Sequence, residues 1–353
     1  MKKLTFTMFA IIAVACIMSC EKSKDTEVNK GYSLGIFVVN EGSLNSNNGS
    51  ISFVSESNTL IINDIFYAAN ERPLGDIVQS FSIVNDSIGV IVVNHSAKLE
   101  IVRLRTFQAI REPLIVNYPR YFLQVSGEKG YLTSGNFEGK VYVTDLNTME
   151  IEDSINVGFG PEALLQLDNK VYVANSGGWG SDSTLSVVDV SSDIVEDTIF
   201  VEKVPVDMVL DQENYLWVYC KGYTDYADIE TDSYIQKINT ENNSIIWQGR
   251  VGSALDYSTV PAKCAVSPDG ATIYYIRPDG IYKLDATDPV IAEDPFIPGN
   301  YYGLDVHPEN GRIYVFESSF TGNGTMKIYE ANGTQFGQGT VGIGPNAAVF
   351  NLQ

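Results

Sequence analysis

Short runs of alternating apolar and polar residues recur along this chain, each closed by turn residues. Three are near copies: Lys170-Val171-Tyr172-Val173-Ala174-Asn175, Ala271-Thr272-Ile273-Tyr274-Tyr275-Ile276 and Gly311-Arg312-Ile313-Tyr314-Val315-Phe316. Runs rich in Val, Ile, Tyr and Phe between tight turns predict strands joined by hairpins. The unit after Pro119 is the most complete. Tyr121–Val125 reads as a first strand A, Ser126-Gly127-Glu128-Lys129-Gly130 as a turn and Tyr131–Ser134 as strand B. Lys140–Thr144 and Met149–Val157 follow as C and D. Further units open at Pro161, Pro205, Pro261 and Pro345, Tyr301 takes the same slot, and a unit near Asp76 lacks the proline. Proline suits the start of a strand, where its missing N–H costs little. The spacing is 40–44 residues, except for 56 between Pro205 and Pro261, where a loop is inserted.

A repeat of about 40–45 residues made only of strands is the signature of a β-propeller. The first unit has B, C and D at Ile36–Asn40, Ser50–Val54 and Leu60–Phe66, with no strand A before them. The extreme C-terminus, Asn346–Asn351, supplies it. The reading is an all-β, seven-bladed β-propeller over residues 34–353, closed by a C-terminal strand that completes the first blade. Closure removes the exposed edge of an open array.

In such a ring the blades are scaffold, and binding lives in the B–C loops and D-to-A links at one end. The repeat puts Asn40, Asn94, Gly135, Asn175, Cys220, Arg277 and Glu317 at the ends of the B strands. They are expected to ring the axis, although asparagines there also serve to cap strand ends. The B–C loops carry Phe137, Trp179, Tyr223, Tyr226 and Phe320, and the links add Arg72, Tyr118, Arg120, Phe159, Tyr257 and Tyr301. Tyr and Trp combine a large apolar body with a polar handle, which suits binding; the alternative is packing between blades. The ligand-binding candidates are therefore Asn40, Arg72, Asn94, Tyr118, Arg120, Phe137, Asn175, Trp179, Tyr223, Tyr226, Tyr257, Arg277, Tyr301, Glu317 and Phe320.

The N-terminus reads differently. Lys2 and Lys3 precede the apolar stretch Leu4–Met18, too short for an ordinary membrane span and suited to a signal-peptide core. It ends in Ile17-Met18-Ser19-Cys20, which resembles a bacterial lipobox with lipidation at Cys20. The alternative is plain secretory cleavage near Ser19. Residues 21–33 are polar and read as a flexible tether.

The formal charge is −21, and removing the leader takes it to about −23. Such a surface disfavours nucleic acid and anionic membranes, leaving only a lipid anchor as membrane contact. Cys220 and Cys264 lie in neighbouring repeats and could be bridged or remain buried thiols. His95 and His307 are the sole histidines. No HxH, HExxH, paired-cysteine or G-x-S-x-G pattern accompanies them, so neither a metal site nor a catalytic residue is expected. Glu41, Glu162, Asp207 and Glu317 could meet a cation near the axis or simply be solvated.

Val171-Tyr172-Val173-Ala174-Asn175 and Val266-Ser267-Pro268-Asp269-Gly270 resemble the YVTN-type repeats of seven-bladed surface and periplasmic propellers. Phe37-Val38-Val39-Asn40-Glu41-Gly42, with Asn47-Asn48-Gly49-Ser50 behind it and the lipobox before it, resembles the DUF5074/YncE-like lipoproteins, and among them the cobalamin-binding BtuG type. The resemblance implies a lipid-anchored, surface-exposed outer-membrane protein. It would bind cobalamin (vitamin B12) and related corrinoids and deliver them to a TonB-dependent transporter. No catalytic cofactor and no enzymatic activity are implied. The competing readings are a surface-layer or adhesive propeller for glycan or protein, and a propeller lyase or lactonase.

Overall fold

The computed structural model describes residues 31–32, 34–225, 230–255 and 261–352. The leader, Cys20, nearly all of the tether, Tyr226 and Tyr257 lie outside the described residues. Tyr32–Gln353 forms one compact unit. Its strands make seven four-stranded antiparallel sheets and one small extra hairpin, Tyr223–Thr224 with Glu230–Thr231. The architecture is the predicted seven-bladed β-propeller.

Blade 3 shows the pattern: A Pro119–Gln124, B Lys129–Ser134, C Lys140–Asp145 and D Glu150–Asn156. Strand A is the inner strand of each blade and D the outer one. Burial follows position. Strand B of blade 1, Gly35–Asn40, is buried at every residue, whereas Glu150–Asn156 is largely exposed. The reason is alternation: successive side chains of a strand point to opposite faces, and a blade has a neighbour on each face. Phe37 and Val39 pack with Val78, Phe81 and Ile91 of blade 2, while Ile36 and Val38 pack with Tyr314, Phe316 and Met326 of blade 7. Among the described residues seven such apolar clusters occur, one for each pair of adjacent blades. Full burial of a single Phe, Ile or Leu side chain stabilises by about 1.5–3 kcal/mol.

The ring closes where expected. Pro345–Asn351 is strand A of blade 1 and pairs antiparallel with Gly35–Asn40, from Gly35 opposite Asn351 to Asn40 opposite Pro345. One detail departs from the sequence reading. The outer strand expected over Leu60–Phe66 is only Ile61–Ile62, followed by a short helix, Ile65–Asn70. Ile65 and Phe66 are fully buried in the blade 1–blade 2 cluster, so tertiary packing overrides the local strand preference. Cys220 and Cys264 are both buried and unbridged, in separate clusters. Among the described residues no helix is long and apolar enough to cross a membrane.

Candidate functional site

A repeated irregularity at the start of strand A builds the site. In blades 2, 3, 4, 5 and 1 the residue just before the strand is left-handed: Ile77, Tyr118, Gly160, Val204 and Gly344, with φ of 50° to 63°. Glycine adopts this freely, but the other three carry strain of about 1–2 kcal/mol each. Their carbonyls accept hydrogen bonds of 2.8–3.0 Å from the N–H groups of Asn94, Gly135, Ser176, Lys221 and Glu41, respectively. The register against strand B then slips by a bulge in these five blades. A bulge re-aims the side chain it displaces. Here the displaced residue is the one following the strand's first position.

Five residues occupy that place, Asn346, Gln79, Arg120, Glu162 and Val206, and Ala262 and Tyr302 hold the equivalent repeat positions of blades 6 and 7, just before Cys264–Val266 and Gly303–Val306. All of them line one cavity of about 770 Å³. A second tier lines the same cavity from the residues just past strand B: Glu41, Asn94, Gly135, Ser176 and Lys221. Loops complete the wall with Leu44, Trp179, Tyr223 and Phe320.

The floor has two halves. Tyr302 donates to Glu41 Oε2 at 3.2 Å, and Asn346 Nδ2 donates to Glu41 Oε1 at 2.8 Å and to the Gln79 carbonyl at 3.4 Å. Arg120 donates to Gln79 Oε1 at 2.6 Å and to Glu162 Oε2 at 2.8 Å. One hydrogen-bonded arc thus runs from blade 7 through blade 1 to blade 4. Val206 and Ala262 of blades 5 and 6, with Val204 and Pro261 beside them, make the rest of the floor apolar.

Buried charge lies deeper along the axis. The Lys263 ammonium sits 5.5 Å from the centre of the Tyr121 ring. Asp207 accepts from the Cys264 and Met208 N–H groups, and Asp305 from that of Ala348. Burial raises the Asp207 carboxyl and pushes that of Asp305 up to about 7, against the pull of Lys263. Burial opposes the charge on Lys263, but Tyr121, Asp207 and Asp305 outweigh it and hold the amine cationic. Burial also raises Glu41, against the donors Asn346 and Tyr302. Among the described residues no group of three or more His, Cys, Asp or Glu is arranged to hold a metal.

Aromatics stand at the mouth. Tyr118 meets Trp179 edge-on at 4.8 Å, and Phe137 meets Trp179 at 5.4 Å. Half a ring away, Phe320 meets Tyr302 edge-on at 5.2 Å. Trp179 is 60% exposed, so its ring is open to a ligand.

Of the residues expected at a ligand site, Asn94, Tyr118, Arg120, Trp179, Tyr223 and Phe320 line the cavity. Phe137 is exposed, packs on Trp179 and is not part of the lining. The other candidates within the described residues lie elsewhere. Asn40 and Asn175 are fully buried and donate to Ser50 and Ser52 and to Thr184 and Ser186, respectively, tying strand B to strand C. Tyr301 is buried and shares a hydrogen bond with Tyr329, leaving the cavity to its neighbour Tyr302. Arg72 is held by two bonds to Glu100, Arg277 stacks on Tyr282, and Glu317 pairs with Lys327. The expected ring mixed two registers. Asn94 and Gly135 lie one step past strand B, whereas Asn40, Asn175, Cys220, Arg277 and Glu317 are last in theirs. A one-residue step in a strand turns a side chain to the other face.

The floor residues Gln79, Glu162, Val206, Ala262, Tyr302 and Asn346 were not among the ligand-binding candidates, Glu162 having been considered only for a cation near the axis. Their signal was present: each follows the repeated proline or its equivalent position. His307 lies in the turn that follows Gly303–Val306, where Nδ1 accepts from the Glu309 and Asn310 N–H groups.

Residues 34–337 match the profile of a family described as "Domain of unknown function (DUF5074)". No curated protein sequence is significantly similar to the chain. Among solved structures, a quinonprotein alcohol dehydrogenase-like protein from Bacteroides thetaiotaomicron superposes with a TM-score of 0.65 at 16% identity, covering 92% of this chain and 79% of that one. Hydrazine synthase from Kuenenia stuttgartiensis superposes with a TM-score of 0.56 at 14% identity, covering 72% and 77%. At these identities the likeness concerns the fold alone.

Proposed function

The chain belongs to the DUF5074 family, and we propose that it is a non-catalytic binding protein whose cavity captures a corrinoid such as cobalamin for delivery to an outer-membrane TonB-dependent transporter. The observation that carries the reading is the cavity itself. It draws side chains from all seven blades, and its floor is polar on one half and apolar on the other. A corrinoid is a broad ring with apolar edges and a fringe of amides. Its body suits Val204, Val206, Ala262 and the rim aromatics, and its amides suit the arc from Tyr302 to Glu162. The carboxylates of the arc are already engaged by Asn346, Tyr302 and Arg120, which favours binding over acid–base chemistry. On this reading Cys20 carries a lipid that tethers the propeller to the outer membrane, at the cell surface.

The test is calorimetric titration of the compact unit Tyr32–Gln353 with cyanocobalamin, together with co-elution of the red ligand on a sizing column. One-to-one binding at submicromolar Kd is expected. No binding at 50–100 µM, about 5–6 kcal/mol of affinity or less, would overturn the corrinoid reading. The open face of Trp179 would then favour the glycan reading, tested by titration with oligosaccharides.

A further inference from the structure

One end of the polar arc has more acceptor than donor capacity. Asn346 is 5% exposed and lines the cavity. Its Nδ2 donates to Glu41 Oε1 and to the Gln79 carbonyl, both of which can only accept. That fixes the orientation of the amide and turns Oδ1 the other way. Oδ1 is buried and has no donor among the described residues. Buried acceptors are normally satisfied, so one left open beside a cavity points to a partner from outside the chain. Glu41, next to it, accepts one bond at each oxygen, from Asn346 and Tyr302, and has capacity for more. The guanidinium of Arg120 is directed at Glu162 and Gln79 instead.

We propose that Asn346 and Glu41 form a carboxamide subsite, in which a ligand –NH2 group donates to Asn346 Oδ1 and to the Glu41 carboxyl. A primary amide offers two N–H groups, one for each acceptor. A carboxylate in the same place offers no proton to either acceptor. The subsite therefore selects amide over acid. It rests on the binding reading above and adds a specificity to it.

The test compares cyanocobalamin with its separated monocarboxylic acid isomers, each lacking one amide, by calorimetry at pH 7.5. At least one isomer is expected to bind wild-type protein tenfold or more weakly than the parent. Glu41→Gln should narrow that gap to less than threefold, and Asn346→Ala serves the same end should Glu41→Gln fail to fold. Parent binding with no isomer penalised overturns the subsite and leaves capture standing. If the parent itself does not bind, the corrinoid reading falls, and the subsite is judged on acetamide against acetate by saturation-transfer NMR. An acetamide signal that exceeds that of acetate and is lost in Asn346→Ala upholds it; equal or absent signals overturn it.

Discussion

Replacing Arg120 by methionine tests whether the polar arc is an energetic unit. The Arg120 and Glu162 side chains are 12% and 8% exposed, and their contact is 2.8 Å. Methionine keeps most of the apolar stem, which crosses Gly135. It removes the cation, leaving the Glu162 carboxylate buried without its partner and Gln79 Oε1 without a donor. Breaking a buried pair from one side costs about 3–5 kcal/mol. The orphaned Gln79 acceptor, worth about 1–3 kcal/mol alone, overlaps with that figure because the two share a network. The expected loss for Arg120→Met is therefore about 3–5 kcal/mol, read as a fall in urea midpoint at pH 7 with unchanged slope. Adding Glu162→Gln removes the stranded charge, and the double variant should return to within about 2 kcal/mol of wild type. A loss below about 1 kcal/mol, or a double variant no better than the single, would refute the reasoning.

Trp179→Ala should weaken ligand binding tenfold or more, about 1.4 kcal/mol, while leaving the melting temperature within a degree or two, because the ring is mostly exposed. A shared fall in affinity and melting temperature would count against a direct contact. Asp305, whose folded pKa is about 7 against an ordinary 3.8, holds a proton in the folded state that the unfolded chain has released. Its contribution is therefore full below about pH 4, is lost as pH rises through about 7, and is constant above. Asp305→Asn should flatten the decline in stability between pH 5 and 8, measured by urea unfolding; an identical decline would exclude Asp305 as its source. Deleting Pro345–Gln353 should open the ring, expose the edge of Gly35–Asn40 and yield oligomers on a sizing column. A stable monomer would mean that the terminal strand is not what closes the ring.

The repeat was legible because its causes are local. Alternation within each run, turn residues between runs and a proline before strand A each act over a few residues, so blade number and closure by residues near 346–351 follow from the chain alone. Trp179, Tyr118 and Phe320 were legible for a related reason: large aromatics in loops have no core position to fill. What local pattern does not contain is register at the ends of strands. Asn40 and Glu41 are adjacent, yet the first is buried between strands and the second lines the cavity. Successive side chains face opposite sides, and which of the two meets the cavity is set by pairing with Pro345–Asn351, some 300 residues away. The polar arc has the same origin. Tyr302 and Asn346 meet Glu41 only because the ring closes, and Gln79, Arg120 and Glu162 meet one another only because three bulged strands converge on one axis. Sequence by itself determined the blades, their number and the end of the ring that carries long loops, since these depend on short-range sterics and burial. Tertiary structure decided which side chain at each strand start faces the axis, because that choice rests on contacts between residues that only a closed ring brings together.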